Sequence, residues 1–393
     1  MHRFKSFLAT FYLLLVFCGY EFVTMIFLSP SSQSTQFVTI PFRGFTLLLG
    51  FVLLIFAVRF KNIKVNTYGI NLFFIYCFFF LIRMVYDIHI SSNSYINDIP
   101  AFWLVIFSVT IFPVIITYKT FRFVRIDKLL WWYLICAFLT LLLSVLKMED
   151  FSGTIRQSGN VALNPITYSN LALSTILLSI YILFEIGISK IYKLLVCIIL
   201  LFGFYCLFIA GSRGPLLSLF IIVTIWSTLR SGKISGFIFT MICAVFILIF
   251  LNEIISLIGE VSPILESRFS DTLREGNTDR RDELANFAKK AFLDSPIYGK
   301  QFAIFEMYKL NYPHNLFLEG FMALGIGGFL LLFASLSAFI KACRHIFMKK
   351  KNTWLSLLLF QYLISSLISG TIYYTPLFSV SILLVLISDY NQK

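Results

Sequence analysis

Three short polar clusters interrupt an otherwise apolar chain, and their residue types suit the handling of phosphate charge and of a hydroxyl proton. The first is Gly211-Ser212-Arg213-Gly214-Pro215. Pro215 suits the first turn of a helix, and Ser212 suits the cap just before it. A helix N-terminus offers free N–H groups and a positive dipole end, which together favour an anion. Arg213 adds a guanidinium able to grip phosphate oxygens with two prongs. The same residues read equally well as a tight turn whose arginine snorkels to lipid headgroups.

The second cluster is the polar segment 254–313, far longer than the usual helix connection of about 2–8 residues. Within it, Asp279 can cap a helix running to about Ser295, with Asp282 and Glu283 in the first turn. Leu284, Phe287, Ala288, Ala291 and Phe292 then share one apolar face. Pro296 and Gly299 end the helix, and Arg280 and Arg281 open it. Two arginines beside acids are also what a solvated charge cluster looks like. The third cluster is Tyr312-Pro313-His314-Asn315, at the start of an apolar run. A histidine in a first helical turn meets the positive dipole end, which favours the neutral imidazole that a general base needs. An interfacial histidine that only hydrogen-bonds a neighbour fits the same residues.

What positions these clusters is a membrane. Of 393 residues, 59% are hydrophobic and only 13% charged, against about 25% charged in soluble domains. Apolar runs long enough to cross a bilayer recur from end to end, and inside hydrocarbon each must be helical. The expected fold is all-α: a polytopic membrane protein of about twelve spans, at 7–28, 42–58, 68–86, 100–118, 129–146, 165–186, 194–210, 215–229, 234–253, 314–340, 353–370 and 372–388. The chain reads as one domain, 1–393, without internal repeats. The first span reads as an uncleaved helix, because it is too long for a signal and lacks a small-residue cleavage site.

Lysine and arginine set the orientation. With the N-terminus inside, the cytoplasmic loops hold Arg59, Lys61, Lys64, Lys119, Arg122, Arg125, Lys128, Lys190, Lys193, Arg230, Lys233, Lys341, Arg344, Lys349, Lys350 and Lys351, whereas the opposite short loops hold Arg43, Lys147, Arg156 and Arg213. Both termini are then cytoplasmic, 254–313 is one large periplasmic loop, and all three clusters share the outer face. This bias accounts for most of the net charge of +13, so no nucleic-acid partner is needed. The seven cysteines form no Cys-x-x-Cys pair, and no Asp-x-Asp or histidine cluster offers a metal site.

In order and spacing, Gly211-Ser212-Arg213-Gly214, Arg281, Pro296-Ile297-Tyr298-Gly299, and His314-Asn315 followed by Gly325 and Gly328 resemble the O-antigen polymerase and O-antigen ligase superfamily. Asn164-Pro165-Ile166 is similar to it as well. The specific part covers about 211–330. The resemblance implies a membrane glycosyltransferase of the GT-C type, acting on an undecaprenyl-diphosphate-linked oligosaccharide without cofactor, metal or nucleotide donor, at the outer face of a bacterial inner membrane. Carried over by position, Arg213 and Arg281 bind the donor diphosphate and stabilise the leaving group, and His314 activates the acceptor hydroxyl. Arg280, Ser212, Gly214 and Asn315 join them as substrate-binding residues. Ala285, Lys300-Gln301 and Ala323 depart from the family pattern, and these departures bear on the acceptor side.

The partners implied are the lipid-linked glycan and the bilayer, with a chain-length regulator as a further candidate. The Gly-Ser-Arg-Gly turn and Phe-rich spans favour a polymerase, which extends another lipid-linked repeat unit for surface-polysaccharide (lipopolysaccharide) biosynthesis. The alternatives are a ligase, whose acceptor is lipid A-core, and a flippase for the same lipid. A flippase is expected to carry charges along a path inside its spans. Here mid-span charges are few: Glu21 and Arg83, with Glu185 nearer an end.

Overall fold

The computed structural model describes residues 2–29, 32, 34–58, 68–89, 99–148, 157–232, 236, 238, 241–242, 256, 259–260, 262–267, 280–302, 304–306, 309–372 and 376–389. Among them, nine helical stretches are long and apolar enough to cross a bilayer, and two further apolar helices are shorter. The chain runs α1 (His2–Leu14), α2 (Tyr20–Phe27), α3 (Gln36–Val58), α4 (Tyr68–His89), α5 (Ile99–Ile106), α6 (Phe112–Thr120), α7 (Ile126–Leu146), α8 (Pro165–Glu185), α9 (Lys190–Ile209) and α10 (Arg213–Ser231). It continues through α11 (Arg280–Asp294), β1 (Ile304–Glu306), β2 (Lys309–Asn311), α12 (Leu316–Leu324), α13 (Gly328–Phe347), α14 (Thr353–Ser369) and α15 (Pro376–Ile387). Most of the expected span 234–253, much of the segment 254–313 and the expected cap Asp279 lie outside the described residues.

Burial sorts the helices by environment. α3 exposes Phe45, Leu48, Phe51 and Ile55, and α9 exposes Leu194, Leu195, Ile198 and Leu201. Apolar faces of this kind suit lipid rather than water. By contrast, α14 is buried from Thr353 to Tyr362 and α15 from Phe378 to Ile387, as expected of helices that are apolar all round. α14 packs against α8, α10, α13 and α15 and is the axis of the bundle. At Pro165, the first residue of α8, the Asn164 Oδ1 accepts from the Thr167 N–H at 2.7 Å and supplies the N-cap.

Two expectations are corrected. The run expected as one span over 314–340 is two helices. In an unbroken helix, residues eight apart are about 12 Å apart. Here the Phe321 and Phe329 rings lie 4.7 Å apart, and a Cβ on Gly328 would meet the Gly320 carbonyl carbon at 2.8 Å. The chain folds sharply at Gly325 (φ 56°), a backbone region that glycine enters without a steric penalty. The 20 residues of α13 reach about 30 Å, enough to cross the hydrocarbon without α12. The second correction is small: β1 and β2 form an antiparallel hairpin, with Ile304 opposite Asn311, inside an otherwise helical fold.

α11 forms where the periodicity places it. Leu284, Ala288 and Ala291 bury themselves against Ile304, Met322 and Leu318, so α11 rests on α12. Phe292 joins that face through Phe321, with ring centroids 5.6 Å apart, whereas Phe287 is 39% exposed and lies off it.

Candidate functional site

Two of the three sequence clusters rest on the Ser369 end of α14, and the helix of the other, α11, packs on α12. Gly211 turns the chain at φ 62°, and α10 begins at Arg213. Ser212 occupies the N-cap position and is buried, yet its side chain makes no capping bond. The expected capping hydroxyl is therefore not what starts this helix; the glycine turn and Pro215 in the first turn are. Arg213 is half-buried at the first helical position. A Cβ on Gly214 would touch Ile368 of α14 at 3.4 Å.

The neighbouring residue of α14 receives the third cluster. Asn315 caps α12, its Oδ1 accepting from the Phe317 and Leu318 N–H groups, each at 3.1 Å. Its Nδ2 donates to the Leu367 carbonyl at 3.3 Å. Both ends of this amide are thus committed to holding the backbone. His314 precedes that cap instead of lying in the first turn, with φ 54°. The expected dipole effect on its ring is therefore weakened, because the dipole acts within the first turn. His314 Nδ1 is shielded from solvent, and the ring lies 4.4 Å from that of Tyr312, centroid to centroid.

Tyr312 links the histidine to the second cluster. Burial raises its phenol above the ordinary value, the Glu319 carboxylate adds to the shift and the Arg281 guanidinium opposes it. Arg281 is therefore within electrostatic reach of the ring that touches His314. Arg280 opens α11, and its side chain lies outside the described residues. Glu319 is fully buried in α12, where its carboxylate accepts from the Thr371 hydroxyl at 2.9 Å and the Ile372 N–H at 2.8 Å. That pair of bonds ties α12 to the chain leaving α14.

Arg83 has a role that its mid-span position did not reveal. It donates to the carbonyls of Tyr298, Gly299 and Lys300 at 3.0, 3.1 and 3.2 Å, clamping the turn that ends α11. Glu185 pairs with Arg230 between the far ends of α8 and α10. Both charges thus have structural partners, and the flippase alternative finds no support in them.

Beside Tyr312 is a cavity of ≈480 Å³ that reaches Glu21, Arg43, Asn164 and Asn170. Arg213, Arg281 and His314 do not line it; Tyr312 alone connects it to the clusters. Sequence reading registered Glu21 only as a mid-span charge, because the cavity draws on several helices that are remote in the chain.

Residues 195–333 match a family model described as O-Antigen ligase. The match spans α9 to the start of α13 and includes Arg213, Arg281 and His314. No curated protein matches the chain.

Proposed function

We propose, from the premise that residues 195–333 carry the domain of the O-antigen polymerases and ligases, that this protein polymerises a surface polysaccharide from undecaprenyl-diphosphate-linked repeat units. The acceptor hydroxyl attacks the anomeric carbon of the donor glycan. The bond from that carbon to the diphosphate breaks, and its electron pair leaves on the diphosphate oxygen. Arg213 and Arg281 offset the departing charge, which is where preorganised cations are worth most. His314 takes the hydroxyl proton. In this reading both termini are cytoplasmic and the site faces the periplasm. No metal is needed, because the guanidiniums perform the electrostatic task.

One observation carries the reading. The Arg213 turn and the His314-Asn315 turn rest on consecutive residues of one helix, Ile368 and Leu367, while Tyr312 joins His314 to the field of Arg281. Segments about a hundred residues apart in sequence are thereby held at one end of the bundle. A ligase uses the same donor chemistry and differs in its acceptor. The deciding experiment offers the purified protein lipid-linked repeat units alone, without nucleotide sugar or metal. Longer lipid-linked chains support the polymerase. Product only when lipid A-core is added assigns the ligase, and no product with either acceptor removes the glycosyltransferase reading.

A further inference from the structure

The cavity beside Tyr312 sets polar groups into a mostly apolar wall. Its volume of ≈480 Å³ falls within the range of small-molecule sites, about 300–1,000 Å³. It descends along α14 from Ser369 to Tyr362, seven residues or about 10 Å. Glu21 and Arg43 both line it, and among the described residues no ion pair joins them. Glu21 is 8% exposed and borders the cavity, and no other side chain hydrogen-bonds its carboxylate. A buried carboxylate has room for several donors and gains from each one it finds.

Polar groups at the floor, with Ser174 and Gln361 behind it, are already ordered. Tyr362 and Tyr133 share a hydrogen bond at 3.0 Å, Ser174 donates to Gln361 Oε1 at 3.0 Å, and Gln361 Nε2 donates to the Asn170 carbonyl at 2.6 Å. Ser365 donates to Asn170 Oδ1 at 2.9 Å, which fixes that amide at the wall. Tyrosine rings, fixed amides, hydroxyls and one carboxylate are the groups that bind a sugar: rings stack on its apolar face, and the carboxylate and amides take its hydroxyls. A lipid chain would offer these polar groups no further hydrogen-bond partner.

Resting on the glycosyltransferase reading above, we propose that this cavity is the acceptor-sugar subsite, in which Glu21 accepts a hydroxyl hydrogen from a pyranose ring of the incoming glycan. The guanidiniums Arg213 and Arg281 lie outside the cavity and mark the donor side. Tyr312, which lines the cavity and touches His314, is where the acceptor hydroxyl meets the base.

The test uses the full chain in nanodiscs, so that no sugar-headed detergent competes. The probes are lipid-free oligosaccharides cut from the host's own surface polysaccharide, with binding read by saturation-transfer NMR, and lipid-linked repeat units for turnover. Glu21→Gln should weaken oligosaccharide binding and raise the acceptor KM by about ten- to a hundredfold, the range for a hydrogen bond to a charged group, with kcat little changed. Glu21→Asp should recover part of the loss. Ser369→Trp, which fills the cavity from the α14 side, should block binding and serves if Glu21→Gln fails to fold. Normal binding and normal KM in Glu21→Gln, or in a folded Ser369→Trp, overturn the subsite while the catalytic reading stands. If wild type makes no product from any lipid-linked glycan yet binds the oligosaccharide through Glu21, the catalytic reading fails and the sugar cavity stands. Wild type that turns over repeat units but shows no cavity-dependent oligosaccharide binding also overturns the subsite.

Discussion

A Cβ built on Gly299 would lie 2.3 Å from the carbonyl carbon and oxygen of Ala323, and one on Gly325 would lie 2.4 Å from the Pro296 carbonyl oxygen, so the two glycines lock two turns face to face. Both adopt positive φ, 76° and 56°. The Lys300 N–H donates to the Met322 carbonyl at 2.9 Å and the Ile326 N–H to the Pro296 carbonyl at 2.8 Å, closing the contact. Gly299→Ala or Gly325→Ala should each cost about 1–2 kcal/mol for the left-handed backbone, plus the cost of forcing two backbones apart. Both variants should insert in the membrane yet unfold at lower temperature and lose glycan extension. Wild-type melting of both would show that the interlock is not needed.

Arg83 fixes the same turn from α4. Arg83→Ala should loosen residues 298–300 without altering insertion, because the three carbonyls lose their donor. Limited proteolysis is expected to cut there faster than in wild type, with activity reduced at least several-fold. Arg83→Lys should recover little, because one ammonium cannot reproduce the fork that reaches three carbonyls. An unchanged cleavage pattern in Arg83→Ala would refute the clamp.

For the diphosphate, Arg213→Lys should lose most activity, since a point charge does not supply a planar two-pronged contact. Arg281→Ala should be at least as damaging and Arg280→Ala milder. Glycan ladders at matched expression give the measurement. Equal, wild-type-like ladders from all three variants would remove the diphosphate assignment.

His314→Ala should retain expression, insertion and donor binding but stop extension, and Gln or Asn should not rescue it. The wild-type rate should fall on the acid side, because a protonated imidazole cannot take the acceptor proton. With the histidine one residue before the cap, this prediction rests on imidazole protonation alone and not on the helix dipole. A rate that rises with acid would assign His314 another role.

Orientation is open to labelling. In a background free of cysteine, Glu283→Cys on the exposed side of α11 should react with an impermeant maleimide in intact spheroplasts. Lys351→Cys, exposed between α13 and α14, should react only after lysis. The reverse pattern would put Arg281 in the cytoplasm and overturn the site's placement.

Much of this arrangement was legible in the sequence because it was local. The register from Arg281 to Pro296 and Gly299 delivered α11 and its terminating turn nearly residue by residue. The sharp fold at Gly325 was not legible, because the run on both sides of it is strongly apolar and hydropathy does not register a change of direction. Ser212 carried the residue type of a capping side chain without making the bond, since a glycine turn can start a helix unaided. The roles of Glu21 and Arg83 depend on partners 215 or more positions away: Glu21 shares its cavity with Tyr362, and Arg83 meets Tyr298. Residue type announced that such groups were costly; only packing says what they serve.

The buried axis α14 also sets an order of events. It is translated after the turns it supports, yet Leu367 and Ile368 are where the His314 and Arg213 turns come to rest, and Ser365, Ser366, Ser369, Gly370 and Thr371 wall the cavity. A nascent chain that has already inserted α1 to α13 therefore carries every charged group of the site but has no site. On the proposed reading, competence arrives only with α14, so a chain interrupted before it is silent rather than a loose enzyme.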